Sequence, residues 1–179
     1  MSETPTTDRR GLPVPFARLG LPADPVLLAP LAGVSDHPFR RVAVGMGADL
    51  AYVEMLSATA LLFASPRTYD MMRRHPAEAK LGVQVTGRSA DEIGRAVAIL
   101  GRLGFETIDL NMGCPVAKVV KSGCGSALLK DPALVHAAVR AAVQATDKPV
   151  SVKIRLGWDR TSVNAEAVAD AVQSAGAAW

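Results

Sequence analysis

Short apolar runs alternate with longer amphipathic segments along most of the chain. Each short run has the length of a strand and ends at Gly, Pro or a polar residue, whereas the longer segments repeat their apolar residues with helical spacing. The order is strand then helix, five times over, which is typical of parallel strands joined by crossover helices. The predicted strands are residues 26–31, 50–53, 81–86, 107–111 and 150–154.

Capping residues mark where several helices begin. Asp36, followed by Pro38, predicts a helix that ends near Met46. Ser89-Ala90-Asp91-Glu92 has the sequence of a capping box, and its helix is expected to end near Leu103. The other predictions are a helix from Asp131-Pro132 to about 146, an apolar stretch at 57–63, a helix and turn at 67–75, and a helix at 164–175.

Two architectures fit this order, an open doubly wound sheet and a (β/α)8 TIM barrel. No G-x-G-x-x-G follows the first strand, which disfavours the dinucleotide-binding form of the open sheet. Polar or Gly-rich residues follow every strand, and a barrel places its active site at that end of all its strands. We therefore predict an α/β fold, a TIM barrel. The residues after the strands are Ala32-Gly33, Glu54, Gly87, 111–115 and 155–158.

The length of the chain limits how much of that barrel it can form. A complete barrel needs about 250 residues, and the 179 residues here correspond to about the first five βα units. Residues 25–179 are expected to form the amino-terminal portion of the barrel, after a polar segment at 1–24. Gly176 to Trp179 resembles the approach to a sixth strand, so we expect a truncated chain whose open sheet edges favour aggregation.

Composition and charge say more about the possible partners of the protein than about its fold. The formal net charge is +3 and the pI is about 9.1, which permits a polyanionic partner without requiring one. No apolar stretch approaches the roughly 20 residues that span a bilayer, and the first dozen residues lack the apolar region of a secretory signal. A cytoplasmic protein is expected, in which Cys114 and Cys124 are reduced rather than joined in a disulfide.

The segment Asp109-Leu110-Asn111-Met112-Gly113-Cys114-Pro115 carries the clearest candidate chemistry. Cys114 follows a strand on a Gly-rich loop, where a thiol can reach a substrate. Lys118, Lys121 and Lys130 follow it and could favour the thiolate or attract phosphate. The alternative is an inert packing cysteine in a turn, because free cysteine is often buried. The motif by itself leaves both interpretations open.

Polar residues on two other strands need partners. Lys153 and Arg155 are two positions apart and so share one side of the fifth strand, where buried cations would require an anionic ligand or a flavin that gains negative charge on reduction. Alternatively, Arg155 lies beyond the strand and pairs with Asp109 or Asp159. Gln84 lies within an apolar strand, so its amide must bond either a ligand with donor and acceptor edges or a neighbouring strand.

Other chemistries find little support. His37, His75 and His136 show no metal-ligand spacing to the cysteines, so no metal is expected. No G-x-S-x-G or Walker loop is present, so the motifs of common hydrolases and nucleoside triphosphatases are missing.

Five segments carry a resemblance to a known family. They are LLAPLAGVSDHPFR, which ends at Arg40, VEMLSA (53–58), LGVQVTG (81–87), DLNMGCPVAKVVKSGCGSALL (109–129) and VKIRLGW (152–158). One follows each successive predicted strand, and only about the first two dozen residues stay unmatched. Together they resemble the tRNA-dihydrouridine synthases, and the long cysteine motif most resembles the bacterial B-type branch.

The resemblance implies an FMN-binding barrel followed by a smaller helical domain that binds tRNA. By this resemblance, Pro30, Leu31 and Ala32 line the FMN. Gln84 is expected to hydrogen-bond the flavin ring, and Lys153 to contact it.

The implied reaction reduces specific uridines in tRNA to 5,6-dihydrouridine. NADPH or NADH reduces FMN, and the reduced flavin gives a hydride to C6 of a flipped-out uracil. By the same resemblance, Cys114 is the proton donor to C5, from the opposite face. Asn111 and Arg155 are the predicted substrate-binding residues.

Two alternatives stay open. One is another FMN pyrimidine-reducing barrel, of the dihydroorotate or dihydropyrimidine dehydrogenase kind, which the extended cysteine motif and the G-V-S-D-H-P-F-R opening disfavour. The other is a non-catalytic truncated fragment. By resemblance, the flavin-phosphate loops follow strands seven and eight, so the 179-residue piece alone is expected neither to hold FMN tightly nor to turn over. A monomer is expected at full length, and the sequence does not identify the target uridine.

Overall fold

A single parallel sheet organises the fold. The computed structural model describes residues 14–22 and 24–179. All paired strands are parallel, and the strand order is β1-β2-β3-β4-β5. A doubly wound sheet reverses its order at a switch point, whereas this consecutive order is that of a barrel wall. The chain forms a curled half-barrel, which confirms the predicted TIM-barrel fold. The strands are β1 (Leu27–Leu28), β2 (Leu50–Ser57), β3 (Leu81–Thr86), β4 (Thr107–Asn111) and β5 (Val150–Lys153).

The helices follow the strands as predicted, with small differences at their ends. α2 begins where Asp36 accepts a hydrogen bond from the Phe39 amide at 3.0 Å, as its capping position predicts. The helices are α1 (Val14–Arg18), α2 (His37–Gly45), α3 (Ala58–Leu62), α4 (Pro66–Met71), α5 (Ala90–Leu100), α6 (Ala117–Val120), a 3-10 helix (Gly125–Lys130), α7 (Pro132–Gln144) and α8 (Ala165–Ser174).

The predicted capping box before α5 is only half formed. Ser89 Oγ accepts from the Glu92 amide at 3.3 Å, as expected. The Glu92 carboxylate accepts from the Arg88 amide at 2.9 Å and from the Thr59 hydroxyl, where a complete box would have it accept from Ser89 N–H. The carboxylate thus connects α5 to α3.

β1 is much shorter than predicted. It pairs with β2 only at Leu27 and Leu28, whereas the sequence predicted residues 26–31. Pro30 has no N–H to donate, and an edge strand has a neighbour on one side only, so the ladder stops early.

β2 is longer than predicted, extending to Ser57 rather than ending at Val53. Its pairing with β3 is interrupted between Val53 and Leu56, and Glu54 lies in this irregular stretch. β3 and β4 have their predicted bounds, because both neighbours of each strand are present and the apolar run sets the length.

The two faces of the sheet differ in polarity. On the outer face, Val83, Val85, Ile108 and Leu110 are at most 1% exposed and belong to the apolar core beneath the helices. α5 and α7 cover this face with buried Ile93, Ala96, Val97, Leu100, Val135, Ala138, Val139 and Ala142. The alternate residues of the same strands point into the barrel interior, and most of them are polar.

A second apolar cluster lies at the amino-terminal ends of the first strands. Leu21 is 1% exposed and packs with Leu50 and Tyr52, with Phe16 against them. The rings of Phe16 and Trp179 lie 4.6 Å apart between centroids. The described part of segment 1–24 is therefore not simply polar, since its apolar residues cover the interior at this end. The division at residue 25 stays a prediction, and the rest of that segment lies outside the described residues.

The last residues of the chain lie along β5. Ala178 N–H donates to Val150 O at 2.7 Å, and Val152 N–H donates to Trp179 O at 3.0 Å. These two bonds run along the free edge of β5, at the residues where the sequence predicted the approach to a sixth strand.

Candidate active site

Cys114 lies on a loop fixed at its start by the last residue of β4. We call residues 112–131 the cysteine loop. The Asn111 side-chain oxygen accepts from the Cys114 amide at 2.9 Å and from the Gly113 amide at 3.2 Å. This turn, closed by a side chain, redirects the chain immediately after the strand. Cys114 is a half-buried free thiol at the carboxyl end of the sheet.

The cysteine loop also closes on itself. Cys114 O accepts from the Ser126 amide at 3.0 Å, and the Gly125 amide donates to Thr86 Oγ1 at 3.2 Å. Gly125 has φ of +61°, and a Cβ there would lie 2.6 Å from Cys114 O. A side chain fits neither the dihedral nor the space, so glycine is required at this position.

Gln84 belongs to a buried hydrogen-bonded group inside the barrel. Its Nε2 donates to Asp109 Oδ2 at 2.6 Å, and its Oε1 accepts from Asn111 Nδ2 at 2.9 Å. Ser151 Oγ donates to the other oxygen of Asp109 at 2.6 Å. Of the two partners that the sequence allowed for Gln84, the structure shows the neighbouring strand.

The electrostatics of this group are set by burial. Burial raises the pKa of Asp109, and the hydrogen bonds from Gln84 and Ser151 and the charge of Lys153 act in the opposite direction. Burial, followed by the negative charge of Asp109, raises the pKa of Tyr52. A carboxyl group and a phenol therefore lie buried inside the half-barrel.

Lys153 and Arg155 are not buried, contrary to the prediction. β5 ends at Lys153, and both side chains are exposed because the inner face of a five-stranded half-barrel opens to solvent. Lys153 pairs in register with Asn111 and so lies beside the cysteine loop. Arg155 lies beyond the strand, but among the described residues its proposed ion pairs with Asp109 and Asp159 do not form.

The predicted flavin loop, Pro30, Leu31 and Ala32, follows β1 at the same end of the sheet. We call residues 29–36 the β1 loop. Ser35 Oγ accepts from the Leu31 amide at 2.7 Å, and Gly33 N–H donates to the Glu54 carboxylate. The Leu31 side chain is 48% exposed at the mouth of the half-barrel.

A buried ion pair supports the β1 loop from below. Arg40 Nε lies 2.7 Å from Glu78 Oε1, and both side chains are fully buried. Arg40 also donates to Ser35 O at 3.2 Å and to Arg73 O at 2.7 Å, while Glu78 accepts from the His75 amide at 2.7 Å. The pair thus connects α2, the β1 loop and the segment before β3.

The loop after β5 is held mainly by its own residues. We call residues 154–164 the β5 loop. Asp159 Oδ1 accepts from the amides and hydroxyls of Thr161 and Ser162, and these bonds lower the pKa of Asp159. The Lys130 ammonium lies 3.8 Å from the centre of the Trp158 ring. A cleft of about 410 Å³ runs along this loop.

A larger cavity lies away from these residues. It measures about 550 Å³ and is lined by the amino-terminal end of β5, the end of α7 and residues near Gly176. Among residues 14–22 and 24–179, no group of three or more His, Cys, Asp or Glu could hold a metal ion. In that same part of the chain, no helix is both long and apolar enough to span a bilayer.

Three residues of this region were not predicted as site residues: Ser151, Glu54, which was noted only as a polar residue after a strand, and Asp109, considered only as a partner for Arg155. A signal was present. Polar residues recur at every second position of β4 and β5, which indicates a polar interior face. What the sequence did not indicate is which of these side chains would bond each other.

Comparison with known proteins supports the same assignment. The family model for dihydrouridine synthase matches residues 27–179. A probable tRNA-dihydrouridine synthase of Rhodobacter capsulatus is 40% identical over 158 residues, covering 85% of this chain and 47% of that protein. The tRNA-dihydrouridine synthases B of Pseudomonas putida and Pseudomonas syringae pv. tomato are 41% and 40% identical, each covering 84% of this chain and 45% of the relative.

The chain thus spans about half the length of the curated relatives that it matches. The matched region contains the half-barrel, the β1 loop and the cysteine loop. The resemblance inferred from the sequence is confirmed, including its B-type character, and the chain belongs to the dihydrouridine synthase family.

Proposed function

We propose that the protein to which this chain belongs reduces specific uridines in tRNA to 5,6-dihydrouridine, with FMN as cofactor and NADPH or NADH as reductant. The observation that carries the proposal is the position of Cys114. Its thiol is free and half-buried, and its backbone is fixed by Asn111 at the carboxyl end of a family-matched barrel. A cytoplasmic location, where tRNA is available, belongs to the same proposal.

The described residues fit a flavin at the mouth of the half-barrel. Leu31 offers exposed apolar surface, and Lys153 is an exposed cation with no ion pair among the described residues. An apolar face and a cation suit a flat ring system that carries negative charge when reduced. Pro30, Leu31, Ala32 and Lys153 would hold FMN, which when bound supplies the hydride chemistry.

Gln84 fits the flavin less well than the sequence suggested. Both ends of its amide are already bonded to Asp109 and Asn111, and the residue is 1% exposed. One N–H of Gln84 is left for a ligand, because a primary amide has two. In this proposal Gln84 contributes at one edge of the ring only.

Cys114 would hold the proton that C5 of uracil receives. A thiol is a suitable acid because its ordinary pKa is near enough to neutral for proton transfer. Asn111 fixes the backbone of Cys114, and its second side-chain N–H is available to a uracil carbonyl. The half-barrel mouth is open to solvent, so a flipped-out base has access to both groups.

Exposed cations surround this mouth and suit tRNA as the partner. Arg155 and Arg160 on the β5 loop are exposed, and no ion pair among the described residues involves them. Lys118 and Lys121 on the cysteine loop are also exposed. Exposed cations attract phosphate groups regardless of base sequence. They therefore support binding to tRNA and do not identify the uridine.

The test is the dihydrouridine content of tRNA from cells that carry the gene for this protein intact or with Cys114→Ala. We expect one or more tRNA positions to lose dihydrouridine in the variant. Cys124→Ala is the matched control, because it removes the other thiol of the same loop and is expected to leave the modification in place.

Two outcomes would contradict the proposal. Unchanged dihydrouridine after deletion of the gene would remove tRNA as the substrate. Purified protein that reduces free pyrimidines faster than tRNA would favour the pyrimidine dehydrogenase alternative instead.

A further inference from the structure

A continuous series of side-chain hydrogen bonds runs from the barrel interior to the backbone of Cys114. It begins at Asp109 Oδ2, which accepts from Gln84 Nε2 at 2.6 Å. Gln84 Oε1 then accepts from Asn111 Nδ2 at 2.9 Å, and Asn111 Oδ1 accepts from Cys114 N–H at 2.9 Å. We call these three bonds the Asp109 series. It joins β4 to β3 and returns to the loop that carries the thiol.

The two ends of the Asp109 series fix the orientation of both amides between them. Both oxygens of Asp109 accept, one from Gln84 and the other from Ser151, so Gln84 directs its NH2 group toward Asp109. The backbone amides of Gly113 and Cys114 can only donate, so Asn111 must direct its oxygen toward them. The Gln84 oxygen and the Asn111 NH2 group then face each other. Reversing either amide would place two donors or two acceptors together.

Burial makes that orientation costly to change. Gln84 is 1% exposed, Asp109 is 7% exposed, and Ser151, which donates to the other carboxylate oxygen at 2.6 Å, is 1% exposed. Water therefore has little access to replace a lost partner, and an unsatisfied buried polar group carries its full desolvation penalty.

We propose that Asp109 is a positioning residue for Cys114, acting through the side chains of Gln84 and Asn111. No bond of the series joins Asp109 to the cysteine loop or its thiol, yet its acceptor oxygen orients Gln84, whose oxygen in turn holds Asn111 Nδ2. The inference concerns the thiol loop itself and does not depend on flavin, tRNA or the proposed reaction.

Amide hydrogen exchange in this chain, measured by NMR, tests the proposal. In Asp109→Ala, Gly113 and Cys114 should exchange faster by about fivefold or more, the equivalent of one net hydrogen bond. The Met112 amide is the internal control, because it donates to Lys153 O at 3.0 Å and takes no part in the series. Its exchange should stay within about twofold of the unmodified chain.

Two matched variants separate positioning from general destabilisation. In Asp109→Asn, the new side chain can turn its oxygen to Gln84 and its NH2 group to Ser151 Oγ, so protection at Cys114 should be retained. In Ser151→Ala, the bond to the other oxygen of Asp109 is lost while all three bonds of the series remain, so Cys114 should again be unaffected.

Thiol reactivity provides a second measurement. The chain has two cysteines, so Cys124→Ser leaves Cys114 as its single thiol. In that background, Asp109→Ala should raise the iodoacetamide alkylation rate of Cys114 by about fivefold, because the half-buried thiol loses one constraint on its loop. Ser151→Ala should leave the rate unchanged.

Three results would overturn the proposal. The first is unchanged exchange at Gly113 and Cys114 in a folded Asp109→Ala chain. The second is faster exchange at Met112 to the same degree, which would show a purely structural role. The third is an Asp109→Asn chain that behaves like Asp109→Ala. If Asp109→Ala does not fold, Gln84→Met breaks the same series one bond further along, and the same comparison of Met112 with Cys114 decides.

Discussion

The loops after β1 and β4 differ from the loop after β5 in what holds them. Polar side chains from neighbouring elements fix the first two: buried Arg40 donates to Ser35 O in the β1 loop, and half-buried Asn111, itself bonded to buried Gln84, fixes Cys114. The β5 loop is organised by Asp159 and its own neighbours, and its Leu156 is 73% exposed.

This difference corresponds to what each loop is proposed to do. A thiol that must deliver a proton to one carbon atom needs a fixed position, because small displacements reduce proton transfer strongly. Exposed cations that attract a large polyanion need only charge and reach, because phosphate contacts act without base specificity. Rigid support is therefore found at the loop proposed to react, and a self-contained exposed loop is found where tRNA is proposed to dock.

The largest effect is expected from breaking the support of the β1 loop. Glu78→Ala leaves the fully buried Arg40 without its carboxylate, which should cost about 3–5 kcal/mol in the free energy of unfolding. Asp70→Ala is the control, because its pair with Arg73 is 68–75% exposed and should contribute at most about 1 kcal/mol. Urea unfolding of both variants measures the difference. Equal effects would mean that the buried pair does not fix this region.

The next largest effect is expected at Gly125 in the cysteine loop. Gly125→Ala combines a φ of +61° with a Cβ that would lie 2.6 Å from Cys114 O, so both strain and overlap result. We expect a loss of about 2–4 kcal/mol, from the left-handed backbone and the overpacking together.

Gly123→Ala is the matched control for this substitution. Gly123 also has a positive φ, +79°, but its nearest atom would be Arg88 Cβ at 3.6 Å, which is ordinary contact. Only the backbone strain of about 1–2 kcal/mol should appear. Thermal unfolding of the two variants separates the cost of backbone strain from the cost of steric overlap. A loss of stability in Gly123→Ala as large as that in Gly125→Ala would argue against a tightly closed loop.

The pH dependence of stability should have opposite signs in the two regions. Burial raises the folded-state pKa of Asp109 above its ordinary 3.8, so between the unfolded-state and folded-state pKa values the folded chain keeps a proton that the unfolded chain has lost. The stability gained from Asp109 is thus complete below about pH 4 and is lost as pH rises through the folded-state pKa. Relative to Asp109→Asn, the intact chain should lose at most about 1.4 kcal/mol per pH unit in that window.

Asp159 in the β5 loop should behave in the reverse way. Hydrogen bonds from Thr161 and Ser162 lower its folded-state pKa below 3.8, so its contribution is present above that pH and is lost as pH falls. Comparing each aspartate with its asparagine variant in urea unfolding between about pH 3 and pH 7 shows the two slopes. Slopes of the same sign would contradict the contrast between buried and exposed carboxylates.

The smallest effect on stability is expected from the exposed cations of the β5 loop. Arg160→Gln should change the free energy of unfolding by less than about 0.5 kcal/mol. If the β5 loop contacts phosphate, the slope of log affinity for tRNA against log salt should fall by up to about 1. Arg95→Gln on the outer surface of α5 is the control and should leave that slope unchanged.

The agreement between sequence and structure was best where local signals were complete. β3 and β4 have their predicted bounds, and Asp36 caps α2 as expected. Agreement was poorer at the edge of the sheet, where β1 is reduced to two residues because pairing on one side decides its length. The candidate residues other than Gln84 lie together at the carboxyl end of the sheet, because parallel strands bring these ends together, and their roles stay predictions.

The sequence alone determined the alternation of strands and helices, the family, and the loop that carries Cys114, because periodicity, caps and an extended motif are all local properties. Only the tertiary structure decided which polar groups bond each other. Two bonds of the Asp109 series join residues 25 and 27 positions apart, and the Arg40–Glu78 pair joins residues 38 positions apart. Such pairings depend on strand register and on burial, which local sequence patterns do not predict.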